Sequence, residues 1–175
     1  MKKSLLFFIL IFFMKSVFSE NNSIDSLKKL VAFHHKNGNK LEEAKSLYDL
    51  GSVVINTQNT SKALSHLNYS AEIYLLLDDS IRYAWCLYKI SYLYNLTGDY
   101  SKSFTYCLNA NSIASKYSQK SLEGYCQNLL GRLYYLLSDE SSAMSFYDKA
   151  LKNGKIENND KLIAESMSTL PAACP

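Results

Sequence analysis

The chain has 175 residues, of which 47% are hydrophobic and 20% charged, enough apolar material to bury a core and a globular rather than a disordered composition. Its only 2 prolines, Pro171 and Pro175, stand at the end, so nothing from Met1 to Leu170 forbids helix, and the frequent turn chemistry of an all-β sandwich is missing. The formal charge of +3 comes from Lys2, Lys3 and Lys15; the rest of the chain is balanced, which argues against a phosphate-binding surface and a nucleic-acid partner.

The first element is an address. Met1-Lys2-Lys3 forms a positive n-region, Ser4 to Met14 (SLLFFILIFFM) is an apolar run of the length of a signal h-region, and Val17-Phe18-Ser19 fits cleavage after Ser19. A spanning helix needs roughly 20 apolar residues, and Lys15 cuts this run short. The expectation is a signal peptide over residues 1–19 and a mature chain over 20–175, periplasmic or secreted, with no stable membrane insertion unless the chain is a fragment of a larger protein. Cys86, Cys107, Cys126 and Cys174 permit disulfides in such a protein, but a leucine-rich chain of this size does not depend on them. The first three read as small buried apolar residues of helices, and none belongs to a CxxC or a zinc-ligand spacing.

From residue 41 onward the chain matches itself at a shift of 40 residues without gaps. In the first helix of each unit, Ala44, Ala84 and Gly124 coincide, as do Leu50, Ile90 and Leu130, then Gly51, Ser91 and Gly131, then Val54, Tyr94 and Tyr134. In the second, Ala63, Ser103 and Ala143 coincide, then Leu67, Cys107 and Tyr147, then Ser70, Ala110 and Ala150. Apolar positions recur at separations of three and four, the spacing of one helix face. Small residues at 51, 91 and 131, and at 63, 103 and 143, let paired backbones approach. Asn59, Asp99 and Asp139 fall where the second helices open, with side chains suited to accept from the free N–H groups there.

These columns resemble the tetratricopeptide repeat family. The third unit (Leu130-Gly131, Tyr134, Asp139, Ala143, Tyr147, Ala150) matches best, the second nearly as well through Tyr94, Gly98-Asp99-Tyr100 and Ala110, and the first lacks the Gly-Asp turn. The period exceeds the usual length of about 34, and the proline that closes each unit in that family is missing. The resemblance implies an all-α fold, a right-handed superhelical solenoid of antiparallel helix pairs, with repeats at about 41–78, 80–118 and 120–157. Residues 23–37 align with a second helix, Ile24, Leu27, Leu30 and Val31 matching Leu64, Leu67, Ser70 and Ala71, and would cap the first unit. Residues 160–175 begin an incomplete fourth unit, with Ala164, Met167 and Leu170 in register until Pro171 falls where Gly51, Ser91 and Gly131 stand. Either the protein is short and poorly capped, or it is the front of a longer repeat protein, the reading that the missing polar outer face favours.

No phosphate loop, HExxH or nucleophile–base pattern occurs, and His34, His35 and His66 have no ligand spacing, so no enzyme, metal or cofactor is expected. His34 and His35 are expected to be exposed at the end of the capping helix. In the resembling family the concave surface is lined by first-helix residues flanking the buried stripe. Carried onto this chain, those positions hold Tyr48 and Asn56, then Trp85, Tyr88, Tyr92 and Asn95, then Tyr125, Asn128, Arg132 and Tyr135. Rigid aromatic area together with amides suits an extended peptide; the same aromatics alternatively pack between units, or stack on sugar rings. The expected function is an exported, non-enzymatic scaffold with a protein or peptide partner. The alternative is a truncated extracytoplasmic repeat region of a bacterial sensor kinase or transcriptional regulator.

Overall fold

The structure is a computed structural model, described for residues 23–55 and 59–169. The expectations placed on residues 1–19, Asn56, Pro171 and Cys174 lie outside the described residues. Among those described there is no strand, and eight helices follow one another: α1 (23–36), then α2 (Lys40–Val54), α3 (Thr60–Leu76), α4 (Ser80–Leu96), α5 (Tyr100–Lys116), α6 (Lys120–Leu136), α7 (Glu140–Ile156) and α8 (Asp160–Thr169). The fold is all-α.

Helices α3 to α7 each have 17 residues and begin at 60, 80, 100, 120 and 140, so the 40-residue unit is two equal halves of helix and three-residue turn. One turn chemistry accounts for this regularity. Gly38, Asp78, Gly98, Ser118, Ser138 and Asn158 occupy one column, all with positive φ. This left-handed residue reverses the chain, and the next N–H reaches back to a carbonyl of the last helical turn, as Asp99 N does to Tyr94 O at 3.0 Å and Asp139 N to Tyr134 O at 3.0 Å.

That next residue then opens the following helix. Asp79, Asp99, Asp139 and Asn159 accept from the N–H three residues on at 3.0–3.1 Å, and Asn59 does so at 3.3 Å. One residue thus terminates one helix and caps the next, which leaves no room for variation in turn length. Only glycine takes the left-handed region without a Cβ penalty, about 1–2 kcal/mol for other residues. Ser138→Gly at φ 61° should therefore raise stability by about 0.5–1 kcal/mol, read as a higher urea midpoint; a lower midpoint would show that the turn is unstrained.

The chain divides into two compact units, Met1–Ser70 and Ala71–Pro175, with the boundary inside α3. In the first unit, Ala44, Leu47, Leu50 and Val54 of α2 and Ala63 and Leu67 of α3 are buried. Ser70 Oγ donates to Ala44 O at 2.7 Å, and a Cβ on Gly51 would stand 2.8 Å from Leu67 Cγ, so these two helices approach closely at the small-residue column. On α1, Ile24, Leu27 and Val31 are half-buried while Leu30 is exposed, so the capping helix covers with fewer residues than its pattern implies.

A polar contact ties α1 to α2 instead. Glu43, fully buried, meets His35 Nδ1 at 2.6 Å and Lys40 Nζ at 2.9 Å. Burial is the largest influence on its carboxyl and raises its pKa, but the hydrogen bonds and charges of Lys40 and His35 together outweigh it and hold the group below the usual carboxylate range. Because the folded state depresses this pKa, the contribution is present above the ordinary glutamate range and is lost as pH falls through the lowered value. His35 is largely exposed, as its position implies, yet it is not without a role.

In the second unit α4 pairs with α5 and α6 with α7, α5 packs on α6, and α8 packs on α7. The core includes Leu87, Cys107, Ala110, Leu122, Cys126 and Leu130. Ser91 Oγ donates to Ser103 O at 2.7 Å, and a Cβ on Gly131 would lie 2.7 Å from the ring of buried Tyr147. A polar chain crosses the α6–α7 contact: Lys120 Nζ donates to Glu123 at 2.8 Å, Gln127 Nε2 to Glu123 at 3.3 Å, and Asn153 Nδ2 to Gln127 Oε1 at 3.0 Å. On α8, Leu162 and Ser166 are buried, whereas Ala164 and Met167, in register with buried columns of the earlier units, are exposed. No helix among the described residues is long and apolar enough to cross a membrane.

Candidate functional site

Trp85, Tyr88, Tyr92 and Asn95 follow one another on α4 at separations of three and four, and Tyr125, Asn128, Arg132 and Tyr135 do so on α6, so each set forms one stripe along its helix. The structure brings the two stripes together at one end. The rings of Trp85 and Tyr88 are 6.1 Å apart and edge-on, Trp85 and Tyr125 are 6.0 Å apart, and Tyr88 and Tyr125 are 5.8 Å apart. These distances lie in the range where aromatic pairs attract beyond their area burial. The expectation that such rings pack between repeats is therefore met at these three, each of which also keeps part of its surface exposed.

The remaining members differ in their surroundings. Tyr92 and Asn128 are half-buried, and Arg132 and Tyr135 are exposed. Asn95 is only 5% exposed, and neither its Oδ1 nor its Nδ2 has a hydrogen-bond partner among the described residues. A buried amide left unpaired in this way costs about 1–3 kcal/mol. Tyr48 is half-buried on α2 in the first unit.

Polar groups that the sequence did not single out sit beside the cluster. The Tyr125 hydroxyl and Ser121 Oγ lie 3.4 Å from Asn159 Nδ2, so the residue that caps α8 also anchors an aromatic of α6. Burial pushes the Tyr88 phenol well above its ordinary value, with Cys126, Glu165, Cys107 and Tyr125 adding to the shift. Burial also lowers the pKa of Lys89; the charge of Lys161 adds to that shift and Glu165 opposes it. Lys89 and Glu165 therefore belong to the electrostatics of this face. Lys89 follows Tyr88 directly, in the column of Asp49 and Leu129, so the repeat gave no reason to expect a cation there.

A second aromatic system lies elsewhere in this unit. Tyr94 stacks on Tyr106 at 5.6 Å, and Tyr134 contacts Phe104 and stacks on Phe146, each at 5.3 Å. These pairs join first helices to second helices and explain as packing the tyrosines in the repeat columns. A shallow apolar cavity of about 390 Å³ lies between the start of α5 and the end of α6, lined by Tyr100, Phe104, Leu133, Leu136 and Leu137. Among the described residues no cluster of three or more His, Cys, Asp or Glu is placed to hold a metal.

No family model matches the chain, and no curated protein matches its sequence. Solved structures do match its fold. The N-terminal domain of stress-induced protein-1 (STI-1) from C. elegans superposes with a TM-score of 0.55 at 15% identity, over 74% of this chain and 95% of that one. A Podospora anserina putative kinesin light chain with nearly identical TPR-like repeats gives 0.66 at 13% identity, over 86% and 75%. MamA gives 0.52 at 18% identity, over 83% and 86%. At these identities the likeness is one of fold: the chain has the tetratricopeptide-like architecture of paired helices.

Proposed function

We propose that the protein is an exported, non-enzymatic scaffold that holds an extended peptide segment of a partner protein along the α4 and α6 stripes of its second unit. The observation that carries this reading is the convergence of Trp85, Tyr88 and Tyr125 from two adjacent helices into one partly exposed aromatic cluster. Rings already fixed against each other lose little freedom when a ligand side chain packs on them, which is why aromatic anchors dominate binding energies. Tyr92 extends the same stripe along α4 and is half-buried, leaving ring surface for a ligand side chain. Asn128 and Arg132 continue the polar edge along α6. Export rests on the n-region, apolar run and cleavage site of residues 1–19.

The test uses peptides selected from a displayed random library on the unmodified protein. Trp85→Ala and Tyr92→Ala should leave helicity intact and weaken the selected peptides' binding by roughly 30-fold or more, the loss of about 2 kcal/mol or more typical of an aromatic hot spot. Unchanged affinity in both variants would mean that the peptide does not lie on this face. The intact mass of native protein from fractionated cells tests export separately: a chain beginning at Glu20 in the soluble exported fraction is expected, and a full-length cytosolic product would contradict it.

A further inference from the structure

Cys107 on α5 and Cys126 on α6 are free thiols with no surface exposure, and they meet where the second helix pair packs on the third. The Cys107 thiol donates to the Cys126 carbonyl oxygen at 3.3 Å. A disulfide needs Cβ atoms about 3.8 Å apart, and the contact already sets the Cys107 sulfur against the backbone of Cys126. We propose that Cys107 and Cys126 are a latent disulfide, closed during folding by a disulfide-bearing oxidant of the oxidising compartment that an exported chain would enter, and that the closed bond braces the aromatic cluster on α4 and α6.

The chemistry is thiol–disulfide exchange. The Cys107 thiolate attacks one sulfur of the oxidant and releases the other as a thiol, which takes up the proton that Cys107 gave up; the Cys126 thiolate then displaces the second oxidant thiol. The protein gives up two hydrogens, the oxidant disulfide is reduced to two thiols, and one S–S bond replaces another. The timing follows from burial. The nucleophile is a thiolate, and burial pushes the Cys126 thiol well above its ordinary value, so the native pair is nearly inert and reaction is confined to the stage before the helices close over it. Once formed, the bond is shielded by the same burial.

The link to the binding face is Tyr88. Its ring packs against the core cluster that contains both cysteines, its phenol feels both thiols, and it stands edge-on to Trp85. Trp85 is the only tryptophan of the chain, so its emission reports on the bond directly.

The experiment unfolds and reduces the full chain, refolds it in a mixture of oxidised and reduced glutathione, traps remaining thiols with iodoacetamide and maps the peptides by mass. The expected result is a monomer with two of its four cysteines unalkylated and a cross-linked peptide pair containing Cys107 and Cys126. It should show a higher urea midpoint and an altered Trp85 emission relative to the same protein refolded under reduction. Native reduced protein placed in the same buffer should retain its thiols far longer. A Cys86→Ala/Cys174→Ala chain should form the same bond, which excludes competition from the other two thiols. Four alkylated cysteines after oxidative refolding, a bridge through Cys86 or Cys174, or disulfide-linked dimers would each overturn the proposal.

Discussion

Gly131→Ser destabilises the second unit by about 1–3 kcal/mol, although serine is the better helix former by a few tenths of a kcal/mol. A Cβ at this position would lie 2.7 Å from both Cδ1 and Cε1 of Tyr147 and 3.1 Å from Ala143 O. Tyr147 is fully buried, so its ring can give way only by displacing packed neighbours. The three units show the same compensation in their own sequences. Glycine stands at 51 and 131, where the column opposite holds Leu67 and Tyr147, and serine stands at 91, where that column holds Cys107. The cost of Gly131→Ser should accordingly be smaller in a Tyr147→Cys background, a coupling that a double-mutant cycle in urea reads directly. Additive effects would mean that the close approach is not what keeps glycine there.

Gln127→Leu should also destabilise, by about 1–3 kcal/mol, even though leucine occupies this column at 47 and 87. The reason is the partner it abandons: Asn153 Nδ2 donates to Gln127 Oε1 at 3.0 Å in a contact where both residues are buried. The other units place isoleucine at 73 and 113 in the column of Asn153. Gln127→Leu/Asn153→Ile should therefore recover most of the loss, because replacing both members of a buried polar pair by apolar groups is close to neutral. At roughly 2–4 °C for each kcal/mol in a chain of this size, the single substitution lowers Tm by several degrees and the double one by little. A double variant as unstable as the single would place the effect in packing volume rather than in the hydrogen bond.

The fold was legible in the sequence because the strongest constraint on paired helices is steric, and steric constraints leave small residues at fixed spacing. Gly51, Ser91 and Gly131 announce the crossing point without any knowledge of what lies opposite. The capping roles of Asn59, Asp99 and Asp139 were equally plain, since a short oxygen-bearing side chain ahead of an apolar run has one local use. The turn column was only half visible. Gly38 and Gly98 signal a left-handed residue, but Asp78, Ser118, Ser138 and Asn158 adopt it without glycine, held by the hydrogen bonds of the helices on either side.

What escaped the sequence is tertiary in origin. Glu43 sits in the first turn of α2, where an acid is ordinarily a solvated partner of the helix N-terminus, and its burial depends on His35 arriving from α1. Lys89 stands in a column that holds an acid and a leucine elsewhere, and the burial that lowers its pKa, with the charges of Lys161 and Glu165, comes from tertiary packing. Asn95 looked like a surface amide by position, yet it is nearly closed off. Ala164 and Met167 repeat the core pattern of earlier units but remain exposed, because α8 buries the face it turns to α7 and no further helix covers the other among the described residues.

The stripe of Trp85, Tyr88 and Tyr92 is the place proposed for a partner's peptide. A photoreactive benzoylphenylalanine placed at Tyr92 in one chain, and at Thr105 on the exposed side of α5 in another, tests it directly with a peptide selected on the unmodified protein. The predicted result is covalent labelling from position 92, competed by unlabelled peptide, and none from position 105. Labelling from position 105 with none from 92 would place the ligand on another surface and contradict the assignment.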